Sequence, residues 1–257
     1  MSLRDFVAQT LPMMDEEWKD AVLYAPYQKE QALIYQYADT LAVRAFLMMT
    51  GLPYALEQRP NAEFMSPTTG EVPFLRVKET LVAEFFPIVD LVGKKGISLS
   101  KTLSAAEQAD MYAFCALIEE TLRIAEKYLS WVDQDTYTLV TKCRYGSVYR
   151  WPLTQLLPMS KRREMLKYLK DAGWADLSLQ KVVERADKCF HALSIKLGHQ
   201  RFFVGEQATE LDALAFGHLY TILTTEMPNG AMVDALKKYP NLITFCENID
   251  KEYFSES

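Results

Sequence analysis

The residues of this chain best suited to chemistry are few and scattered. Cys115, Cys143, Cys189 and Cys246 stand far apart, with no Cys-x-x-Cys pair. Four isolated thiols do not make a disulfide framework in a chain of 257 residues; they read as buried or half-buried side chains in a reducing compartment. His191, His199 and His218 lack ligand spacing with any cysteine or acid, so no metal site is expected. Tyr35, Tyr37, Asp39 and Thr40 cluster before a helical run, Val72-Pro73 sits in a turn, and Glu84-Phe85 precedes a further helix. Ser104 with Glu107, and Thr209 with Asp212, carry the S/T-x-x-E/D spacing of a helix N-terminus. In such a box the hydroxyl accepts the third amide of the helix, and the acid reaches back to the cap.

The elements that must position these groups follow from periodicity. Residues 1–30 contain Pro12 and Pro26 and read as an irregular arm. The run QALIYQY, 31–37, reads as a strand. A helix follows through Leu41, Ala45, Phe46 and Met49, capped by Asp39 or Thr40 and ended by Gly51 and Pro53. YALEQR, 54–59, reads as the next strand, which makes a β-α-β unit with a right-handed crossover. VPFLRV and ETLVAE form a hairpin turning at Lys78 and Glu79. PIVDLVGKKG, 87–96, is then a short helix.

Beyond Ser98 the strand signal stops. A long helix opens at Ser104 and carries Met111, Phe114, Cys115, Ile118, Leu122, Ala125, Leu129 and Val132 at helical spacing. CRYGSVYRWPLTQLL, 143–157, interrupts the pattern, and KRREMLKYLKDAG, 161–173, reads as a short basic helix. Further helices are predicted over 178–197, after Thr209, and from Pro240. The fold class is therefore α+β: a small thioredoxin-like domain over 31–97, joined near 94–100 to an all-helical domain over 98–257.

Composition excludes several classes of function. With 28 basic and 34 acidic residues the net charge is −6, and neither half is basic, so nucleic acid is not an expected partner. The longest uncharged apolar run, 213–225, is too short to span a bilayer and contains His218. The N-terminus turns acidic by Asp15 and resembles neither a signal peptide nor a transit peptide, so the chain is expected to stay on the cytosolic side. The basic residues Lys161, Arg162, Arg163, Lys167 and Lys170 read as a solvated helix face, with anionic lipid or an acidic partner as the alternative. Tyr145, Tyr149 and Trp151 lie between helices. They read either as a loop folded onto its own domain or as anchors of a partner interface.

The stretch FFVGEQATELDALAFGHLYTIL, 202–223, following an α/β half with a Val-Pro turn, resembles the glutathione transferase superfamily. The segments LAVRAFLMMTGLP, NAEFMSPTTGEVPFLRV, RYGSVYRWPL and TELDALAFGHLYTILTT narrow the resemblance to the metaxin family, over about residues 24–254. That resemblance implies a glutathione transferase-like two-domain fold in which Thr209 and Asp212 cap the core helix and Pro73 is cis. It implies a peripheral place on the cytosolic face of the mitochondrial outer membrane. The implied partners are a membrane-anchored metaxin of the metaxin-1 kind and a β-barrel assembly complex, and the implied work is protein import and sorting. Coupling of the organelle to microtubule motors through motor adaptor proteins is an alternative, and a divergent glutathione transferase is another.

The superfamily's glutathione site would need three features. One is a thiol-activating residue at the first strand–helix turn, for which Tyr35, Tyr37, Asp39 and Thr40 are the candidates. The second is the Val72-Pro73 backbone. The third is a Glu-Ser pair opening the next helix, and here Phe85 stands after Glu84. A phenyl ring has no hydroxyl for a carboxylate, so no catalytic residue, no cofactor and no transferase activity are expected.

Overall fold

The computed structural model describes residues 18–67 and 70–254. Its sheet has four strands: β1 (Val22–Ala25), β2 (Ala55–Gln58), β3 (Phe74–Val77) and β4 (Thr80–Ala83). They lie in the order β2-β1-β3-β4. β1 runs parallel to β2, pairing Leu23 with Leu56, and antiparallel to β3, pairing Leu23 with Leu75. β3 and β4 form the expected hairpin, turning at Lys78, whose φ is 53°.

The first strand differs from expectation. It falls at 22–25, inside the segment read as an arm; residues 1–17 of that segment lie outside the described residues. Three of its four side chains are buried, so it shows no apolar–polar alternation to mark it. The run 31–37 instead leads into α1 (Ile34–Met49). Leu33 is the N-cap, and its amide donates to the Gln36 side chain at 3.1 Å. Asp39 and Thr40 therefore lie inside the helix, and the Thr40 hydroxyl donates to the Gln36 carbonyl at 2.7 Å. A cap supplied by glutamine at N3 leaves no Ser, Thr or Asp at the boundary, so the helix starts without a local capping signal in the sequence.

After β2 come a helical turn α2 (Ala62–Met65), the hairpin, and α3 (Phe85–Lys94). The helical part follows as α4 (Ala105–Ile118), a π-helical turn (Glu119–Arg123) and α5 (Ile124–Trp131). Two short helical turns, Gln134–Thr136 and Tyr137–Thr141, lead to α6 (Lys142–Gly146). Then come α7 (Leu153–Asp171), α8 (Leu179–Leu197), α9 (Glu210–Thr224), α10 (Ala231–Leu236) and α11 (Pro240–Ile249). The basic segment 161–173 is thus the second half of a 19-residue helix with Pro158 inside it. Pro158 has no N–H for the Thr154 carbonyl, and Gly146 packs against that carbonyl so closely that a Cβ there would lie 2.6 Å from it.

One hydrophobic core runs through both parts. Leu23, Phe46, Phe85 and Ile88 of the α/β part join Met111, Phe190, Leu214 and Phe216 of the helical part. The closest approach is α9 on α1. At Gly217 an added Cβ would lie 2.5 Å from the Ala38 carbonyl oxygen and 2.7 Å from the Ala42 Cβ. A smaller aromatic core joins Leu33 and Tyr35 to Trp131, Tyr137, Tyr145 and Met165.

Candidate functional site: a cleft filled by charged side chains

The cleft between the two parts is where the sequence places its candidate chemistry. The Val72–Pro73 peptide is cis, and both residues are buried. Glu84 holds a left-handed φ of 73°, and its amide donates to the Pro73 carbonyl at 3.4 Å. Phe85, the first residue of α3, turns inward. Its ring meets Phe46 edge-on at 5.9 Å and Phe86 at 5.4 Å, and it is buried. The position that would need a hydroxyl is filled by core packing.

The four candidates at the first turn are also engaged. Tyr35 is buried, with the Lys127 ammonium 5.5 Å from its ring centre; burial, then the nearby Glu63 and Glu71 charges, holds its phenol well above the ordinary range. Asp39 is buried and bonded to arginine, and Thr40 is spent on the helix backbone. Tyr37 is half-buried and lines a cavity of about 350 Å³ with Leu33, Arg144 and Tyr220. None of these groups converges with a reactive thiol. Cys115, Cys189 and Cys246 are buried, and burial pushes their thiols up, Cys189 to about 12; Cys143 is exposed on the helical part.

Charged side chains that sequence reading did not single out fill the cleft. Arg123, in the π-helical turn, donates to Asp39 at 3.1 Å, to Glu71 at 3.1 Å and to Glu119 at 3.3 Å. Lys127 Nζ donates to the other oxygen of Glu71 at 3.0 Å. Glu71 immediately precedes the cis Val-Pro unit, so helix α5 and the π turn hold that loop shut through two cations. Deeper, His218 Nδ1 lies 3.0 Å from both oxygens of Glu126, and both side chains are fully buried. His218 Nε2 lies 3.8 Å from Asp39.

Electrostatics follow from this crowding. Burial opposes ionisation of Glu71, but Lys127 and Arg123 override it and hold the carboxyl below its usual range. Burial likewise opposes the charge of Arg123, and Asp39, Glu71 and Glu119 more than restore it. Burial pushes Glu126 up to about 7. For His218, burial is outweighed by Glu126 and then Asp39, so protonation is favoured. Asp39, Glu119 and His218 each bring one ligand atom within 4.8 Å of the others, as a cation site would. The guanidinium of Arg123 already bridges both carboxylates, so the positive charge that this cluster needs is supplied by the chain itself.

The remaining sequence candidates are spread out. Asp212 is fully buried and accepts from the Phe203 and Thr209 amides at 2.9 and 2.8 Å, and from the Thr209 hydroxyl at 2.7 Å. The hydroxyl of Thr209 thus donates to the carboxylate that the sequence paired with it. Of the three aromatic residues offered as interface anchors, Tyr145 is buried against Trp131 at 5.5 Å. Tyr149 is half-buried and donates to the Pro60 carbonyl at 3.3 Å. Trp151 is 81% exposed and precedes a second cis proline, Pro152.

Comparison with known proteins matches this geometry. Residues 40–162 fit a family described as an outer mitochondrial membrane transport complex protein, and residues 186–249 fit the glutathione S-transferase C-terminal domain. The chain is 45% identical to human Metaxin-2 over 94% of its length and 92% of that protein's. It is 48% identical to a Caenorhabditis elegans Metaxin-2 homolog over 81% of its length and 90% of that protein's. Mouse Metaxin-1 is 30% identical over 84% of this chain and 70% of that protein. Among solved structures, a Ceriporiopsis subvermispora glutathione S-transferase in complex with glutathione superposes with a TM-score of 0.62 at 14% identity, covering 93% of this chain and 100% of that one. A Sphingobium beta-etherase gives 0.58 at 15% identity, over 92% and 99%. The transferase likeness is one of fold, whereas the likeness to metaxins runs through the sequence at 30–48% identity over most of the chain; the chain belongs to the metaxin family.

Proposed function

We propose that this chain is a non-enzymatic subunit of a protein-import complex of the mitochondrial outer membrane, bound peripherally on its cytosolic face to a membrane-anchored metaxin of the metaxin-1 kind, and acting in β-barrel protein assembly. The observation that carries the non-enzymatic reading is the closed cleft. Arg123 and Lys127 occupy the Glu71 carboxylate beside the cis-proline, and Phe85 takes the place of a ligand-binding hydroxyl. A charged peptide end buried there would have to compete with Glu71 for Arg123 and Lys127, at a cost of several kcal/mol, roughly. The family reading is supported by similarity to Metaxin-2 and by the match to an outer mitochondrial membrane transport complex family. Among the described residues no helix is long and apolar enough to cross a membrane, which suits a subunit whose anchor belongs to its partner.

Co-purification from gently solubilised mitochondria tests this. A tagged chain should bring down an anchored metaxin and the β-barrel assembly complex, and carbonate should extract it when that partner is depleted. Retention in the membrane without the partner, or turnover of a thiol-conjugation substrate by the purified chain, would overturn the reading.

A further inference from the structure

Helix α7 has two unlike sides. Pro158, Met165 and Leu169 are buried, and Arg162 on that flank donates to the Trp131 carbonyl at 3.1 Å while its guanidinium lies 3.7 Å from the ring centre of Tyr137. The other side is a continuous exposed stripe. Leu156, Met159, Arg163, Lys167 and Lys170 follow at intervals of three or four residues, so they share one face, and all five are exposed. At the head of the helix stand Trp151, 81% exposed, and Leu153, 46% exposed. The stripe is therefore apolar at its N-terminal end and basic at its C-terminal end.

The charge is as uneven as the polarity. In a chain of net charge −6, positions 142–171 hold eight basic residues and two acids, Glu164 and, at the end of the helix, Asp171. Three of the eight are used inside the fold: Arg144 donates to the Ala32 carbonyl, Lys161 pairs with Glu63 and Glu164, and Arg162 packs as above. Lys142, Arg150, Arg163, Lys167 and Lys170 have no ion pair or side-chain hydrogen bond among the described residues. Glu164 is itself committed to Lys161 at 2.9 Å.

We propose that this face of α7, headed by Trp151, docks on an anionic lipid surface. Apolar side chains set beside unpaired cations match a bilayer, which offers hydrocarbon just beneath a layer of phosphates. Leu153 to Met159 spans about 9 Å of helix and Arg163 to Lys170 about 10 Å, so a tilted helix dips its head while its second half lies along the headgroups. Trp151 and Leu156 are both largely exposed, as side chains that enter a bilayer must be. This deepens the peripheral-membrane reading above and locates the contact within the chain.

Vesicle sedimentation of the purified full chain tests it. Phosphatidylcholine vesicles carrying phosphatidylserine should pellet the chain, phosphatidylcholine alone should pellet far less, and added salt should release it. Each of Arg163→Gln, Lys167→Gln and Lys170→Gln should lower partitioning about fivefold, and Lys237→Gln, a distant exposed lysine, should not. Trp151→Ala with Leu156→Ser should abolish the residual binding while leaving the melting temperature unchanged. No binding to either vesicle, or binding indifferent to these variants, overturns the proposal. So does loss of metaxin co-purification by the Trp151 and Leu156 variant in a chain that ignores vesicles, which would assign the face to a protein. A chain that ignores vesicles yet keeps its metaxin partner in every variant overturns only the lipid contact and leaves the proposed function standing.

Discussion

Glu71 Oε1 lies 3.0 Å from Lys127 Nζ, which ties the residue before the cis Val-Pro unit to the middle of helix α5. The bond spans 56 positions in sequence and closes the cleft from the helical side. Lys127 is almost fully buried, and that carboxylate is its ion-pair partner. Lys127→Met removes one of the two cations on Glu71 and keeps Arg123, while Glu71→Gln takes from the buried Lys127 the carboxylate it is paired with. Glu71→Gln should destabilise the fold by about 2–4 kcal/mol. In the double variant the loss should be smaller than the sum, with a coupling of about 1–3 kcal/mol by denaturant unfolding. Strict additivity would mean that the two do not interact.

The His218–Glu126 pair sets a pH dependence with a definite sign. Glu126, pushed up to about 7, keeps a proton that the unfolded chain gives up near 4.5, and His218 keeps one that it would lose near 6.5. Folded values above unfolded ones mean that the stability they contribute is present in acid and lost as pH rises. Thermal unfolding should therefore show a midpoint that falls as pH rises from about 4.5 through about 7 on account of Glu126, and that goes on falling above about 6.5 on account of His218, with a slope of at most about 1.4 kcal/mol per pH unit for each proton. Glu71 works in the opposite direction, because its lowered value costs stability only as pH falls below its ordinary range. Glu126→Gln should flatten the slope between these limits; an unchanged slope would assign it to other groups.

Gly217→Ala tests how tightly the two parts are joined. The new Cβ would lie 2.5 Å from the Ala38 carbonyl oxygen and 2.6 Å from the Ala42 amide nitrogen, both backbone atoms of α1. Backbone cannot rotate away as a long side chain can, so helix α9 must move off α1. A loss of about 3 kcal/mol or more is expected by chemical denaturation, against the usual gain of about 1 kcal/mol for alanine over glycine inside a helix. Stability equal to that of the native chain would place the helices farther apart.

What the sequence revealed and what it hid divide along a physical line. The Ser104–Glu107 box and the hairpin at Lys78 depend on neighbours within a few positions, and local spacing carries them. The buried strand at 22–25 has no alternation, and the cap at Leu33 uses a glutamine, so neither left a local mark. The cleft was half legible. Phe85 after Glu84 announced the missing hydroxyl, but the charges that fill the space did not announce themselves. Glu119, Arg123 and Lys127 stand at i, i+4 spacing, the pattern of an ordinary surface helix face. Their partners Asp39 and Glu71 lie 84 and 52 positions from Arg123, and only the packing of α5 on α1 brings them together.

Asp212→Ala should unseat the core helix. The carboxylate accepts from two backbone amides and a hydroxyl in a fully buried setting. Alanine leaves the Phe203 and Thr209 amides without their partner and removes the acid from the positive end of α9. Each orphaned amide costs about 1–3 kcal/mol, so a total near 3–5 kcal/mol is expected. Loss of cooperative unfolding, or a midpoint shift of that size, is the measurement; a shift below about 1 kcal/mol would mean that solvent reaches the cap.

Glutathione should not bind, and restoring one hydroxyl should not make it bind. Calorimetry at millimolar tripeptide is expected to give no one-site isotherm for the native chain. Phe85→Ser returns the hydroxyl, yet it also empties a site packed against Phe46 and Phe86, at a cost of about 3–5 kcal/mol. The variant gains only that hydroxyl, because Arg123 remains paired with Asp39 and Glu71, and Lys127 with Glu71, so neither cation is released to the peptide's charged ends. Of the two candidate phenols, Tyr35 is buried beside Lys127, and Tyr37 faces a separate cavity lined by Leu33, Arg144 and Tyr220. A purified Phe85→Ser chain should therefore melt lower than the native one and remain inactive toward a thiol-conjugation substrate. Turnover in that variant would show that a single ring, not the ion network, had closed the site.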